Sequence, residues 1–325
     1  MIRVPAGRVV RRALGTIAIL GAFGCGGVDA TSDGGATPPP TGPVQTPAPL
    51  PVPPLDVSAW VTASDGTIPL IIVAPHGGDQ TPTSLPDRTC TGCETLNDAN
   101  TRALAAEISD AFDRRIGKRP FVVANLLSRR KFDANRDLAE ATSDYTPLAP
   151  LWTLFHGHID SAKARAVRVH ARALLVDLHG HAHVVPRLEL GYLLSATSLR
   201  LTDSLLTPLL SASSIARLSS VATSGESGAT LLRGPRALGT RLAQAGYAAV
   251  PSASDPSPLV GELYFNGGYN TQRHGSQIAG PVDAIQIECN YAGVRDTSAS
   301  RTAFAEAFVT AMLAFLSDQY GWVPE

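Results

Sequence analysis

The sequence predicts an α/β domain with a mixed, mainly parallel central sheet flanked by helices, and three observations predict it. Short, nearly continuous apolar runs at 68–74, 121–127, 174–178 and 285–289 have the length of strands buried on both faces. Longer segments at 100–116, 159–173, 236–245 and 298–320 carry apolar residues at helical spacing. The two kinds alternate along the chain, which is the order that places helices on the faces of a sheet.

The elements follow a distinct N-terminal region. In residues 1–25, Arg3, Arg8, Arg11 and Arg12 precede an apolar run from Ala13 to Phe23. Basic residues before an apolar stretch form an export signal. The stretch is well short of the ~20 residues that a membrane span needs. Ala22-Phe23-Gly24-Cys25 resembles a bacterial lipobox, which implies a protein of the cell envelope, attached to a membrane only through a lipid on Cys25. Residues 26–54 are rich in Pro, Gly and Thr and hold few side chains able to pack, the composition of a disordered tether. From 55 to 325 the composition is globular without internal repeats, as in a single catalytic domain.

Within that domain, Ile68 to Ala74 ends in Pro75-His76-Gly77-Gly78, a buried strand running into a tight loop. The 100–116 helix presents Leu104, Ile108, Ala111 and Phe112 on one side, and the last helix does the same with Phe304, Phe308, Met312 and Phe315. Gly246 closes the 236–245 helix. Cys90 and Cys93 stand as Cys-Thr-Gly-Cys in a loop, a spacing open to a small disulfide or a metal site. Cys289, inside an apolar strand, reads as a buried thiol. With 27 Lys+Arg against 28 Asp+Glu, the chain has no basic excess to hold a polyanion, which argues against nucleic acid as a partner.

Three chemically loaded segments fall where strands end, the place at which functional groups collect in such sheets. His76-Gly77-Gly78-Asp79 puts an imidazole and a carboxylate three residues apart in a glycine-softened loop, so both can turn onto one ion; the same spacing also occurs in solvated surface loops. Asp177-Leu178-His179-Gly180-His181-Ala182-His183 follows another strand. Gly180 is expected to break the extended run there and leave His179 as the first candidate ligand. Glu288, among Ile285, Ile287 and Cys289, is a base candidate if it is buried beside a cation and a plain surface residue if Gln286 and Glu288 face solvent. Arg129-Arg130-Lys131 and the following Asn135 and Arg136 concentrate hydrogen-bonding groups after the 121–127 strand, and Arg273 offers a further cation for a substrate carboxylate.

Taken in order, Ala74-Pro75-His76-Gly77-Gly78 with Pro82, Asp98-x-x-Thr101, Asp133-Ala134-Asn135-Arg136, Asp177-Leu178-His179-Gly180-His181, Gly234-Pro235-Arg236-Ala237-Leu238-Gly239 and Gln286-Ile287-Glu288 resemble the N-formylglutamate amidohydrolase family. The resemblance implies a zinc-exopeptidase-like fold with one Zn²⁺ on His76, Asp79 and His179. It also implies Glu288 as the base and Arg136 as the group that recognises a carboxylate on the substrate, with Asn135 and Arg273 as further candidate substrate contacts. Arg130 is then the expected catalytic cation. The expected activity is hydrolysis of an amide bond in an N-acyl amino acid or short peptide. A non-catalytic surface lipoprotein that binds metal or a cell-wall ligand is the alternative. A serine hydrolase is disfavoured, because Gly225-Glu226-Ser227-Gly228 continues with Ala229 and follows no buried strand.

Overall fold

The computed structural model describes residues 55–325. The expected leader at 1–25, the tether at 26–54 and the acylation site Cys25 lie outside the described residues. The predicted fold class holds. Seven strands form one mixed sheet: β1 (Val61–Ser64), β2 (Leu70–Ala74), β3 (Phe121–Asn125), β4 (Ala173–His181), β5 (Leu188–Gly191), β6 (Ala249–Val250) and β7 (Val282–Asn290), in the order β1-β3-β2-β4-β7-β5-β6. The four central strands β3, β2, β4 and β7 run parallel, while β1 pairs antiparallel with β3 and β5 antiparallel with β7.

The apolar runs form the centre because neither sheet face meets water. All five residues of β2 are buried. Leu70, Ile72 and Ala74 pack with α1 (Thr101–Ile116) and the final helix Ser298–Phe315, whereas Ile71 and Val73 pack on the other face with α3 (Ala149–His170). The short α2 (Leu138–Thr142) packs on α3, and its first turn is capped by the Asp137 side chain on the Glu140 amide.

Two expectations need correction. The helix expected at 159–173 starts ten residues earlier at Ala149, and Ala173 already belongs to β4. Gly180 does not break β4, which stays paired with β7 through His181↔Asn290. The absent side chain serves a different purpose: it makes room for the buried guanidinium of Arg295, which packs against the glycine. Because the ladder continues, His179 stands directly beside Glu288, and Glu288 is also opposite Glu189 across the β5–β7 pairing.

Candidate metal and active site

The parallel strands end along one edge of the sheet, and a cleft of about 540 Å³ opens there. His76, Asp98, Arg129, Asn135, Arg136, His179, Gln286 and Glu288 all line it. His76 comes from the loop after β2, Arg129 and Asn135 from the segment after β3, His179 from the end of β4, and Glu288 from the end of β7.

The centre of the cleft is a convergence of His76, Asp98 and His179, all buried, with one donor atom from each within 4.8 Å of the others. Asp98 reaches it from the segment preceding α1. Its amide donates to the His76 carbonyl at 3.1 Å, and its own carbonyl accepts from the Thr101 amide and hydroxyl, which fixes the turn into the helix. Asp98 Oδ2 accepts from His179 Nδ1 at 3.0 Å and the Gly180 amide at 3.1 Å, and lies 3.4 Å from His76 Nδ1.

The far side of each imidazole is held by an acid. His76 Nε2 donates to Asp133 Oδ1 at 2.7 Å, which turns Nδ1 towards Asp98 and His179. That Nδ1 is buried and, among the described residues, has no hydrogen-bond partner. His179 Nε2 lies 3.0 Å from Asp177 Oδ2, off the hydrogen-bonding direction, and 3.2 Å from Asn135 Nδ2, so this contact is mainly electrostatic. An orphaned imidazole nitrogen facing a carboxylate and a second imidazole, with both rings oriented from behind, is a donor set suited to a divalent metal.

Electrostatics agree with the geometry. Burial alone would raise the Asp98 carboxyl, but His76 and His179 beside it hold it below the ordinary carboxylate range. Burial would likewise raise Asp133, and it is overcome by His76 and then Arg129, so Asp133 stays ionised. Burial disfavours charge on His179, yet Asp177, Asp98 and Glu288 together push it well above the usual imidazole value. Glu288 goes the other way. Burial raises it to about 8, opposed by His179 and assisted by Asp98, Glu189 and Asp177. Its Oε1 accepts from Gln286 Nε2 at 2.9 Å.

These directions give a test. A carboxyl whose folded pKa exceeds its unfolded value of 4.5 favours folding while protonated, so its contribution falls as pH rises from about 4.5 towards 8. His179 acts with the same sign, because stability gained from a raised imidazole is lost as pH rises through its folded pKa. Metal-stripped protein is therefore expected to melt lower at about pH 9 than at about pH 6, by on the order of a few kcal/mol in stability, and Glu288→Gln to flatten much of that slope. Thermal melts across that range check it.

The cleft contains His76, His179, Glu288, Asn135 and Arg136 from the sequence-predicted set and leaves out three others. Asp79 points away, with a side chain 73% exposed and 3.5 Å from Arg102; the turn Gly77-Gly78 carries the chain past the site, and Asp98 stands where Asp79 was expected. Arg130 is exposed and paired with Asp87, because the turn after β3 sends its neighbour Arg129 inward instead. Arg129 donates from Nε to Asp133 Oδ2 at 2.9 Å and reaches within 3.9 Å of Asp98. Arg273 sits in a separate depression, its guanidinium 4.9 Å over the Trp152 ring and 3.9 Å from Asp160. Asn135, by contrast, is tied in, since its Oδ1 accepts from the Asn270 amide at 2.7 Å. Arg136 is half-buried at the rim, where its Nε donates to Glu140 at 2.6 Å.

The sequence reading names Asp98, Arg129 and Asp133 within their motifs but gives none of them a place at the metal centre. The available signal was the Asp98-x-x-Thr101 helix start, a fixed turn that presents an acid at the sheet edge. Cys90 and Cys93 are joined as a disulfide in the loop leading to Asp98. Cys289 is buried, and burial pushes its thiol up to about 12, so it is inert at neutral pH.

Neither a family model nor a curated protein matches this chain. Solved structures similar to it include N-formylglutamate amidohydrolase from Ralstonia eutropha JMP134, at 14% identity and a TM-score of 0.48 over 79% of this chain and 96% of that one. They also include a gene product from Agrobacterium tumefaciens, at 13% identity and a TM-score of 0.45 over 78% of this chain and 94% of that one.

Proposed function

We propose that this chain is a zinc-dependent hydrolase of an amide bond in a small N-acyl amino acid or short peptide that carries a carboxylate. The observation that carries the reading is the orphaned, buried Nδ1 of His76 facing Asp98 and His179 in the cleft that also holds Glu288. Two imidazoles and one carboxylate suit zinc and leave a further coordination position open. When bound, such an ion supplies Lewis acidity towards a carbonyl oxygen and towards water.

The chain's own residues do the rest. Asp133 and Asp177 fix the two imidazoles from behind. Glu288, kept basic by burial, accepts a proton from the attacking water as the oxygen bonds to the carbonyl carbon. It returns that proton to the nitrogen as the C–N bond breaks, giving a carboxylic acid and an amine. Gln286 holds one Glu288 oxygen, which leaves the other free to exchange the proton. In this reading Arg129, fixed by Asp133 within the cleft, stabilises negative charge developing on the carbonyl oxygen, and Arg136 at the rim pairs with the substrate carboxylate. The lipobox-like leader and the Cys90–Cys93 disulfide support an exported protein of an oxidising compartment.

Incubating zinc-loaded protein with a panel of N-acylated amino acids and short peptides, and detecting new primary amines, tests the reading. Release is expected from substrates with a free carboxylate, to disappear on chelation and return with zinc. Stoichiometric zinc with no turnover across the panel would leave the non-catalytic binding protein as the better account.

A further inference from the structure

The histidines beyond His179 form a second cluster that the reaction above does not use. Because β4 stays extended through His181 and the chain then turns back into β5, His181 and His183 meet Glu189, with one donor atom from each within 4.8 Å of the others. His183 Nδ1 lies 2.8 Å from Glu189 Oε1. We propose that His181, His183 and Glu189 form a second divalent-cation site, selective for zinc-class ions, in the wall of the same cleft.

Each of the three groups also has a contact outside the cluster. His181 Nε2 donates to the Arg187 carbonyl at 2.8 Å, so its Nδ1 carries the lone pair. Glu189 Oε2 accepts from the Phe265 amide at 2.8 Å, leaving Oε1 towards the imidazoles. The His183 ring stacks on Phe265, 4.6 Å between centroids and 10° from parallel. Outer contacts of this kind orient metal ligands and set imidazole tautomers.

Charge points the same way. The Glu189 side chain is only 1% exposed, and among the described residues its one ion-pair partner is His183. Arg187, the nearest arginine in sequence, turns its guanidinium to Asp255 and Glu262 instead. A buried carboxylate without a fixed cation is costly. A divalent ion balances that charge. His181 and His183 line the open cleft, so an ion can enter from solvent. Two imidazole nitrogens and one carboxylate oxygen favour zinc over calcium or magnesium, which prefer oxygen-rich shells. The His183 amide, which rests on His181 Nδ1 at 3.0 Å, gives up that contact when the ion binds. No residue is shared with His76, Asp98 and His179, so this inference does not depend on the proposed reaction.

Zinc counting on the full-length chain decides it. Metal-stripped wild type, His183→Phe, Glu189→Gln and His76→Ala are titrated with zinc by calorimetry and counted by elemental analysis after gel filtration. His183→Phe keeps an aromatic ring against Phe265, and Glu189→Gln keeps an acceptor for its amide, so each removes a ligand with little change in packing. The expected result is about two zinc ions per wild-type chain, with each of the two cluster variants losing about one and His76→Ala losing the other. Zinc counts for both His183→Phe and Glu189→Gln equal to that of wild type would overturn the proposal, whatever His76→Ala shows. Thermal melts confirm that the variants compared are folded.

Discussion

Glu288→Gln is expected to lower turnover by a factor of roughly 10²–10⁴ while zinc stays bound and the fold is unharmed. The amide keeps the shape of the side chain and can still meet Gln286, but it cannot take a proton from water. Burial, which raises the Glu288 carboxyl to about 8, means that the substitution also removes a group poorly tolerated in its ionised form. Stability at neutral pH should therefore hold or rise. The alternative considered from sequence, a solvent-facing glutamate, predicts near-normal rates; β7 is buried along eight of its nine residues, Glu288 included, which already removes that geometry. A rate within about threefold of wild type, with zinc confirmed in the protein, would remove Glu288 from the reaction.

Arg129→Ala and Arg130→Ala should separate sharply although the residues are neighbours. Arg129 bridges Asp133, which in turn holds His76. Removing it leaves a buried carboxylate served by Arg88 at 3.5 Å and by His76, and breaking a buried pair of this kind costs about 3 kcal/mol. Turnover should also fall by about 10- to 100-fold, because a cation lining the cleft is gone and His76 loses part of its support. Arg130 is mostly exposed and among the described residues pairs only with Asp87, so its replacement should stay within about 0.5 kcal/mol and leave the rate unchanged. Denaturant melts and initial rates on both variants check the contrast. A neutral Arg129→Ala would mean that the inward arginine contributes neither packing nor chemistry.

The fold was legible where burial is two-sided. An uninterrupted apolar run such as 70–74 has few alternatives to a central strand, and the Phe304, Phe308, Met312 spacing leaves little choice but a helix against the sheet. β5 escaped notice because it is four residues long and carries Glu189, a charge that a sequence pattern assigns to the surface. Its burial depends on β7 alongside it, a pairing across nearly a hundred residues of chain that no local pattern encodes.

The site was legible in the same proportion. His76, His179 and Glu288 could be found because each stands at the end of a recognisable strand. Asp98 could not be ranked above Asp79, since its role comes from a disulfide-closed loop and the start of α1 folding back over the sheet edge, while Asp79 has the better local spacing. Which of two adjacent arginines points inward was decided by the phase of one turn. Arg273 looked like a substrate contact by charge alone, but tertiary packing carried it to Trp152.

Zinc affinity measured side by side for Asp98→Ala and Asp79→Ala, by competition with a chromophoric chelator, tests the assignment of the metal centre most directly. His76, Asp98 and His179 as ligands predict that Asp98→Ala weakens the site by at least about 100-fold, while Asp79→Ala, missing only an exposed side chain beside Arg102, binds as wild type does. Wild-type affinity in Asp98→Ala, or loss of the site in Asp79→Ala, would contradict the account.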